Sequence, residues 1–117
     1  MAPPPVSDMA SIFVQIGGHT EVNARGCHIT NYVPAANGYV QVRWRGVKYY
    51  CHLLAAVMQM QRHPMPGEEA SHLCGDKRCV RPSHMTLESG ALNKTRSYCA
   101  YFREDPNLVC LHDPACL

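Results

Sequence analysis

The N-terminal part of the chain alternates short apolar runs with turn-forming residues. Residues 11–16 (SIFVQI) combine β-branched and aromatic side chains, which predicts a short strand and leaves a short helix as the alternative. Gly17 and Gly18 end this run. The pair Asn37-Gly38 is a strong turn signal ahead of the next apolar segment.

A β-hairpin is predicted for residues 39–50. Residues 39–44 (YVQVRW) alternate between an apolar face and a polar, basic face, and residues 47–50 return after a tight turn at Arg45-Gly46. A two-stranded ribbon can enter the major groove of DNA, where arginine hydrogen-bonds guanine and glutamine hydrogen-bonds adenine. A polar face turned to solvent would produce the same pattern. On the first interpretation, DNA is contacted by the polar side chains of the hairpin: Gln41, Arg43, Arg45 and Lys48.

Helical and strand signals follow the hairpin. Residues 52–60 (HLLAAVMQM) are apolar and rich in helix formers, which predicts a core helix that covers the hairpin, with His52 in a structural role at its end. Residues 85–87 favour a short strand. Ser89 is expected to cap a helix that carries Asn93 and Arg96.

Length and charge indicate a single small domain with clustered basic residues. A chain of 117 residues indicates one domain, and no apolar run approaches the ~20 residues of a membrane span. The formal net charge is only +2, but cations are clustered in a way that suits phosphate binding better than the net value suggests. The clusters are Arg43, Arg45 and Lys48; then Lys77, Arg78 and Arg81; then Lys94, Arg96 and Arg103.

The composition predicts a tail and one metal-stabilised domain. The proline-rich opening, residues 1–8, is expected to be a disordered tail, and residues 9–117 a single domain. The last third of the chain is poor in long apolar runs. Bound metal must therefore replace part of the core there, because a structural zinc contributes folding free energy directly.

One segment concentrates residues that bind metals. Between residues 72 and 84 lie His72, Cys74, Cys79 and His84, and four residues separate Cys74 from Cys79 and Cys79 from His84. This spacing lets a loop fold back on itself so that three ligands meet one ion. A tetrahedral zinc requires four such ligands at about 2.0–2.3 Å.

The C-terminal tail offers a second ligand set. Cys99, Cys110, His112 and Cys116 form a complete Cys3His set within eighteen residues. The alternative, two disulfides in a secreted domain, leaves the histidines without a role, and no signal peptide is visible. Seven cysteines are an odd number, which favours zinc in a reducing compartment.

These motifs resemble those of the His-Cys box homing endonucleases, which belong to the ββα-metal, or His-Me finger, nucleases. The resemblance is carried by ASHLC at residues 70–74, RC at 78–79, ES at 88–89, NK at 93–94 and C-x-H-x-x-x-C at 110–116. It implies an α+β protein with a small zinc-stabilised ββα-metal fold, an N-terminal antiparallel hairpin and little regular structure in the C-terminal zinc loop. Residues 9–66 would then contact DNA, residues 67–98 would form the active site with the first zinc, and residues 99–117 the second zinc loop.

The resemblance also implies a role for each matching residue. His72 matches the general base, Asn93 the ligand of a catalytic Mg²⁺ (or Mn²⁺), and Arg43 an arginine near the scissile phosphate. The first zinc takes Cys27, Cys74, Cys79 and His84, and the second takes Cys99, Cys110, His112 and Cys116. Cys51 competes with Cys27 for the first zinc. Cys27 is favoured because Arg43-Trp44 then follows it at the distance expected in the family.

The implied activity is Mg²⁺-dependent hydrolysis of phosphodiester bonds in double-stranded DNA. Two alternatives stay open, namely a zinc-stabilised DNA- or protein-binding module without catalysis and a nuclease without sequence specificity. The family resemblance also implies a longer tail that exchanges between the subunits of a dimer, whereas this sequence ends one residue after Cys116. Dimerisation by that route is therefore not expected, and a homodimer formed in another way is left open. An intracellular location is expected. The nucleus suits a DNA enzyme, although no long basic run indicates it.

Overall fold

Short helices and three separate pairs of antiparallel strands follow one another along the chain. The computed structural model describes residue 4 and residues 6–117, with side chains for residue 4 and residues 8–117. In this part of the chain the elements are α1 Val6–Gly17, β1 Thr20–Val22, β2 His28–Thr30, β3 Gln41–Trp44, β4 Val47–Tyr50, α2 Cys51–Met60, β5 Glu68–His72, a 3-10 turn Pro82–His84, β6 Met85–Ser89 and α3 Gly90–Tyr101. The predicted α+β class is confirmed, and the described residues after α3 form neither helix nor strand.

The predicted hairpin is confirmed. β3 and β4 pair antiparallel with Arg43 opposite Lys48 and Trp44 opposite Val47. Arg45 and Gly46 form the two-residue turn with φ values of 50° and 80°. Positive φ at both positions belongs to the turn type that matches the twist of the two strands.

Arg45 departs from the predicted alternation because its positive φ turns the chain at this point. Its guanidinium lies 3.8 Å from the carboxylate of Asp8 and over the ring of Trp44, which belongs to the apolar face of the hairpin. Arg45 was grouped with Gln41 and Arg43 among the polar side chains of the hairpin, but its guanidinium is directed toward Asp8 and Trp44 instead.

The strand predicted at residues 11–16 is also wrong, and the helical alternative forms. Met9, Ile12 and Ile16 are 4%, 0% and 2% exposed, a spacing that places all three on one face of α1. Residues 6–8, predicted to belong to the disordered tail, form the first turn of this helix. The other predicted tail residues at positions 1–3 and 5 lie outside the described part of the chain.

α1 docks on the apolar face of the hairpin. The indole nitrogen of Trp44 donates a hydrogen bond to the carboxylate of Asp8 at 3.0 Å. One apolar core is shared by α1, the hairpin and α2, and contains Met9, Ile12, Ile16, Val40, Val42, Cys51, Leu54, Val57 and Val80. The helix predicted at residues 52–60 thus covers the hairpin as expected, with α1 as its partner.

The β5–β6 sheet lies between α2 and α3. One face carries Ala70, Met85 and Leu87, which pack against Ala55 and Ala56 of α2. The opposite face carries the cross-strand pair Glu69 and Glu88 beneath α3. The predicted cap is confirmed, since the Ser89 hydroxyl accepts a hydrogen bond from the backbone N–H of Leu92 at 3.2 Å. The helices of the described chain are at most 12 residues long, and none combines the length and apolarity that crossing a membrane requires.

The helical register of α1 can be tested by paired substitutions. Ile12→Ala should lower the free energy of unfolding by about 2–5 kcal/mol because it empties a fully buried site. Val14→Ala should change it by less than about 0.5 kcal/mol, since Val14 is 78% exposed. Urea unfolding of the zinc-loaded protein measures both values. Equal losses would contradict the helix, because residues 12, 14 and 16 share one face only in a strand.

Candidate functional site

The first predicted ligand set is assembled as a closed, buried cluster. The ligand atoms of Cys27, Cys74, Cys79 and His84 all lie within 4.8 Å of one another, and all four residues are buried. The Nδ1 atom of His84 is 3.7 Å from the Cys27 sulfur and 3.5 Å from the Cys79 sulfur. With zinc–ligand bonds of about 2.0–2.3 Å, a tetrahedron separates sulfur and nitrogen by about 3.5 Å. The cluster therefore has the dimensions of a structural zinc site.

Local hydrogen bonds position Cys27, the ligand that is distant in sequence from the other three. The side-chain oxygen of Asn23 accepts hydrogen bonds from the backbone N–H groups of Arg25 and Cys27, each at 3.0 Å, and so shapes the β1–β2 loop. Ile29 forms a β-bridge with Cys79. This pairing holds the β1–β2 hairpin against the loop after β5, which explains how Cys27 reaches ligands 47 and more residues away.

The electrostatics of the cluster fit a divalent cation. Burial raises the pKa of the Cys27 thiol, whereas a hydrogen bond from the Cys74 thiol lowers the pKa of Cys79. Three thiolates this close repel one another unless a cation lies between them. Soft sulfur and imidazole ligands in a closed set of four are those that zinc prefers.

The second predicted ligand set also comes together. The Nδ1 atom of His112 lies 3.4, 3.4 and 3.5 Å from the sulfurs of Cys99, Cys110 and Cys116. Its other ring nitrogen, Nε2, lies 2.8 Å from the hydroxyl of Thr95. A partner on the far side of the ring fixes the orientation of a metal-binding histidine.

Several contacts join the two clusters. The backbone N–H of Leu117 donates to the carbonyl oxygen of Leu73 at 2.7 Å, and the Arg103 guanidinium donates to that of Cys74 at 2.6 Å. Gly75 makes this approach feasible, because a Cβ there would lie 2.7 Å from the Cβ of Ala100 and its φ is +74°. The C-terminal loop is thus tied to the loop of the first cluster.

Cys51 lies away from both clusters. It is fully buried in the core below the hairpin, and burial raises the pKa of its thiol to about 12. A thiol that stays protonated in apolar surroundings behaves as a small hydrophobic side chain. Of the two cysteines that competed for the first cluster, the structure places Cys27 in it.

His72 and Asn93 meet in one cleft beside the first cluster. The cleft has a volume of about 320 Å³. β5 delivers His72 at its end, and α3 delivers Asn93 in its first turn. The other residues lining the cleft are Tyr39, Gly75, Lys77, Lys94, Arg96, Ser97 and Ala100.

A single hydrogen bond fixes the proton on the His72 ring. Its Nε2 atom lies 2.9 Å from the carbonyl oxygen of Cys79. A carbonyl oxygen only accepts, so Nε2 carries the hydrogen and Nδ1 of the neutral ring is the free acceptor. Burial lowers the pKa of His72 below its ordinary value, which favours this neutral form.

Aromatic neighbours of His72 come from distant parts of the chain. The rings of Tyr39 and His52 stack at 4.3 Å, and the rings of His52 and His72 at 5.3 Å. Burial lowers the pKa of His52 to about 3, so His52 is neutral. The ammonium of Lys77 lies 5.3 Å above the ring of Tyr39. Tyr39 was not predicted at the site, and His52 was predicted only in a structural role at a helix end, because no local pattern in the sequence distinguishes either residue.

Asn93 is oriented by a glutamate on the neighbouring strand. Its side-chain nitrogen donates to a carboxylate oxygen of Glu69 at 2.9 Å. Glu69 was not predicted at the site either. The amide NH2 group faces Glu69, and consequently the amide oxygen of Asn93 is free to bind another group.

The polar face of the hairpin forms a surface apart from the cleft. Arg43 is exposed, donates only to the carbonyl oxygen of Gly46 at 3.4 Å among the described residues, and does not line the cleft. Lys48 lies opposite it on β4, and Gln41 is half-buried on the same face. Arg43 is four residues after Tyr39, which lines the cleft, and a fully extended chain would span at most about 14 Å between them.

The comparisons identify the family of this chain. A search of curated proteins gave no match. The family described as the zinc-binding loop region of homing endonuclease matches residues 26–117, which is more than three quarters of the chain and includes both clusters and the cleft. With its two Cys3His clusters arranged around a β5–β6–α3 unit, the chain belongs to this family of homing endonuclease zinc-binding proteins.

Proposed function

We propose that this protein is a metal-dependent DNA endonuclease in which His72 is the general base and Asn93 binds one catalytic Mg²⁺. The observation that carries the proposal is the cleft in which these two side chains meet beside a closed metal cluster. The family match supports a DNA substrate, because homing endonucleases act on DNA.

His72 is suited to take a proton from water. Its Nδ1 atom is the free acceptor of a neutral ring, held in place by the hydrogen bond from Nε2 to Cys79. The water oxygen attacks phosphorus as its proton passes to Nδ1, the bond from phosphorus to the 3′ oxygen breaks, and the departing 3′ oxygen takes a proton from a solvent water. The products are a 5′-phosphate and a 3′-hydroxyl. A positioned base of this kind typically contributes about 10²–10⁴-fold to the rate.

Asn93 fits the requirements of a Mg²⁺ ligand. Mg²⁺ prefers oxygen and keeps several waters, so one amide oxygen together with phosphate oxygens is a sufficient ligand set. The donor set of the cleft matches this, since the amide oxygen of Asn93 is free while its nitrogen is bound to Glu69. When bound there, Mg²⁺ would act as a Lewis acid that stabilises negative charge on the phosphoryl and leaving oxygens.

Basic side chains around the cleft would hold the DNA backbone. Lys77 and Lys94 line the cleft together with its two proposed catalytic residues. Arg43, Lys48 and Gln41 lie on the polar face of the hairpin, apart from the cleft, and Arg43 and Lys48 are exposed there. We assign these hairpin residues to DNA binding. Arg43 would act on a phosphate near the scissile one, and Arg45 would contribute less because it is directed toward Asp8.

The two zinc ions would be structural. Each Cys3His cluster supplies four protein ligands and leaves no position for a reacting water. The first cluster fixes the loop that carries the Cys79 carbonyl, and hence the ring of His72. We further propose that the protein acts inside the cell, where reducing conditions keep the thiols available as ligands.

Zinc content separates the roles of the cysteines. The purified protein should contain two zinc ions per chain, Cys27→Ser should contain one, and Cys51→Ser should keep both because Cys51 lies in the apolar core. Elemental analysis measures the content, and chelation should unfold the protein because ligation supplies part of its folding free energy. Two zincs in Cys27→Ser and one in Cys51→Ser would reverse the assignment.

Cleavage assays test the catalytic residues. On supercoiled plasmid with Mg²⁺, His72→Ala should lower the nicking rate by about 10²–10⁴-fold with zinc content and DNA affinity unchanged. Asn93→Ala should also slow cleavage, but raised Mg²⁺ should partly restore it, whereas His72→Ala should not recover. His63→Ala, which changes an exposed histidine, is the matched control and should cut normally.

The possible outcomes of this assay distinguish the candidate functions. Normal cutting by His72→Ala contradicts the proposed mechanism, and loss of a zinc would make His72 a zinc ligand. A wild-type protein that binds DNA but never cuts it with Mg²⁺ or Mn²⁺ would instead be a zinc-stabilised binding module. The pattern of fragments distinguishes a specific enzyme from a nonspecific one.

Salt dependence tests the hairpin surface. Arg43→Ala and Lys48→Ala should each weaken DNA binding and reduce the slope of log K against log salt concentration by about 0.9, the value for one lost phosphate contact. Arg45→Ala should change this slope less, because its guanidinium lies near Asp8. Binding titrations between 50 and 200 mM salt, roughly the range over which such contacts are resolved, provide the slopes. Equal slopes for wild type and Arg43→Ala would exclude a phosphate contact at this residue.

A further inference from the structure

Glu69 lies directly behind Asn93 and determines which end of its amide faces the cleft. The Asn93 nitrogen is 2.9 Å from one oxygen of the Glu69 carboxylate. An ionised carboxylate only accepts hydrogen bonds, so the amide must present its NH2 group to Glu69. The amide oxygen, which is the atom a hard cation would bind, is thereby turned away from Glu69.

The charge of Glu69 is also left without a cationic partner. Glu69 and Glu88 face each other across the β5–β6 sheet, and like charges in this position destabilise a sheet. Glu88 is neutralised by the buried guanidinium of Arg96. Glu69 forms no ion pair with any residue in the described part of the chain, and its hydrogen-bond partner is the neutral amide of Asn93. A negative charge therefore remains immediately beside the proposed Mg²⁺ ligand.

The start of α3 holds this carboxylate in place. Its second oxygen packs against Gly90, where a Cβ would lie only 2.8 Å from it. Gly90 is the first residue of α3, and a helix start attracts negative charge. The carboxylate is therefore held between the first residue of the helix and the side chain of Asn93, which is three residues further along.

We propose that Glu69 is a positioning residue for the divalent cation, an inference that rests on the proposed function of Asn93. Glu69 fixes the amide oxygen of Asn93 toward the cleft, and its charge strengthens cation binding without contacting the ion. Groups that orient a metal ligand from behind typically contribute about 10–100-fold to metal affinity.

Two substitutions at Glu69 separate its two effects. Glu69→Ala removes both the acceptor and the charge, so the Mg²⁺ concentration giving half-maximal plasmid nicking should rise about 10-fold or more, while the rate at saturating Mg²⁺ stays close to that of the wild type. Glu69→Gln keeps a carbonyl acceptor for the Asn93 amide but lacks the charge. Its half-saturating Mg²⁺ concentration should fall between those of the wild type and Glu69→Ala.

Controls separate this effect from a general loss of charge or of folding. Glu104→Ala removes one exposed carboxylate elsewhere and should leave the Mg²⁺ requirement unchanged. Removing Glu69 also relieves the repulsion with Glu88, so zinc content and the midpoint of thermal unfolding should stay close to wild-type values. An unchanged Mg²⁺ requirement in Glu69→Ala, or a lower maximal rate with the same requirement, would falsify the inference.

A measurement without cleavage keeps this inference distinct from the proposed nuclease activity. In ¹⁵N-labelled protein, Mn²⁺ should broaden the side-chain NH2 resonances of Asn93, and Glu69→Ala should require about 10-fold more Mn²⁺ for the same broadening. If the wild type never cuts DNA but shows this difference, the nuclease proposal fails and the role of Glu69 stands. If the wild type cuts DNA and both proteins broaden at equal Mn²⁺, only the role of Glu69 fails.

Discussion

Cys79 joins the metal cluster to the proposed catalytic base, and most of the site depends on this one residue. Its sulfur belongs to the first Cys3His cluster, while its carbonyl oxygen accepts the hydrogen bond from His72. Its backbone also forms the bridge with Ile29 that brings the β1–β2 hairpin, and with it Cys27, to the cluster. The carbonyl sets the tautomer of the imidazole, and a metal ion bound to the sulfur would hold that carbonyl in place.

The β5–β6 sheet separates an apolar interface from a polar one. Its face toward α2 is closed by small and aliphatic side chains, whereas α3 is held on the other face by Arg96 and Asn93, which bind the neighbouring carboxylates of Glu88 and Glu69. Burial opposes ionisation of Glu88, but hydrogen bonds from Arg96 hold its pKa below the ordinary value. Losing one member of a buried pair leaves an uncompensated charge, which is strongly destabilising. These two contacts therefore fix the rotation of α3 about its own axis.

The same arginine connects this sheet to the second cluster. One nitrogen of Arg96 lies 3.4 Å from the Cys116 sulfur and donates to the carbonyl oxygen of Pro114 at 2.8 Å. A positive charge beside a thiolate stabilises the form that binds metal. Because the C-terminal loop has neither helix nor strand, these contacts and its ligands are what hold it against α3.

Structural features that depend on residues close together in the sequence could be predicted. The helix α1, which was predicted as a strand, shows where local sequence is not sufficient. The β3–β4 hairpin follows from strict alternation around a two-residue turn, and the ligand sets from close spacing of cysteine and histidine. The six residues at positions 11–16 are too few to distinguish a period of 2 from one of 3.6, so the strand was predicted where α1 forms. What selects the helix is its packing on Trp44 and the common core, a contact between segments about thirty residues apart.

The sequence by itself therefore determined the ligand chemistry and the strand and capped helix that follow the first ligand set, and its resemblance to a nuclease family indicated the two side chains proposed for catalysis. Only the tertiary structure decided what surrounds them. The stacking of Tyr39 and His52 beside His72 and the hydrogen bond from Asn93 to Glu69 join residues that are 13 or more positions apart. Such contacts leave no periodic or spacing signal in the chain. They depend on how helices and strands pack around the two metal clusters. The proposed chemistry depends on such contacts for the surroundings of His72, for the orientation of the Asn93 amide and for the negative charge of Glu69 beside it.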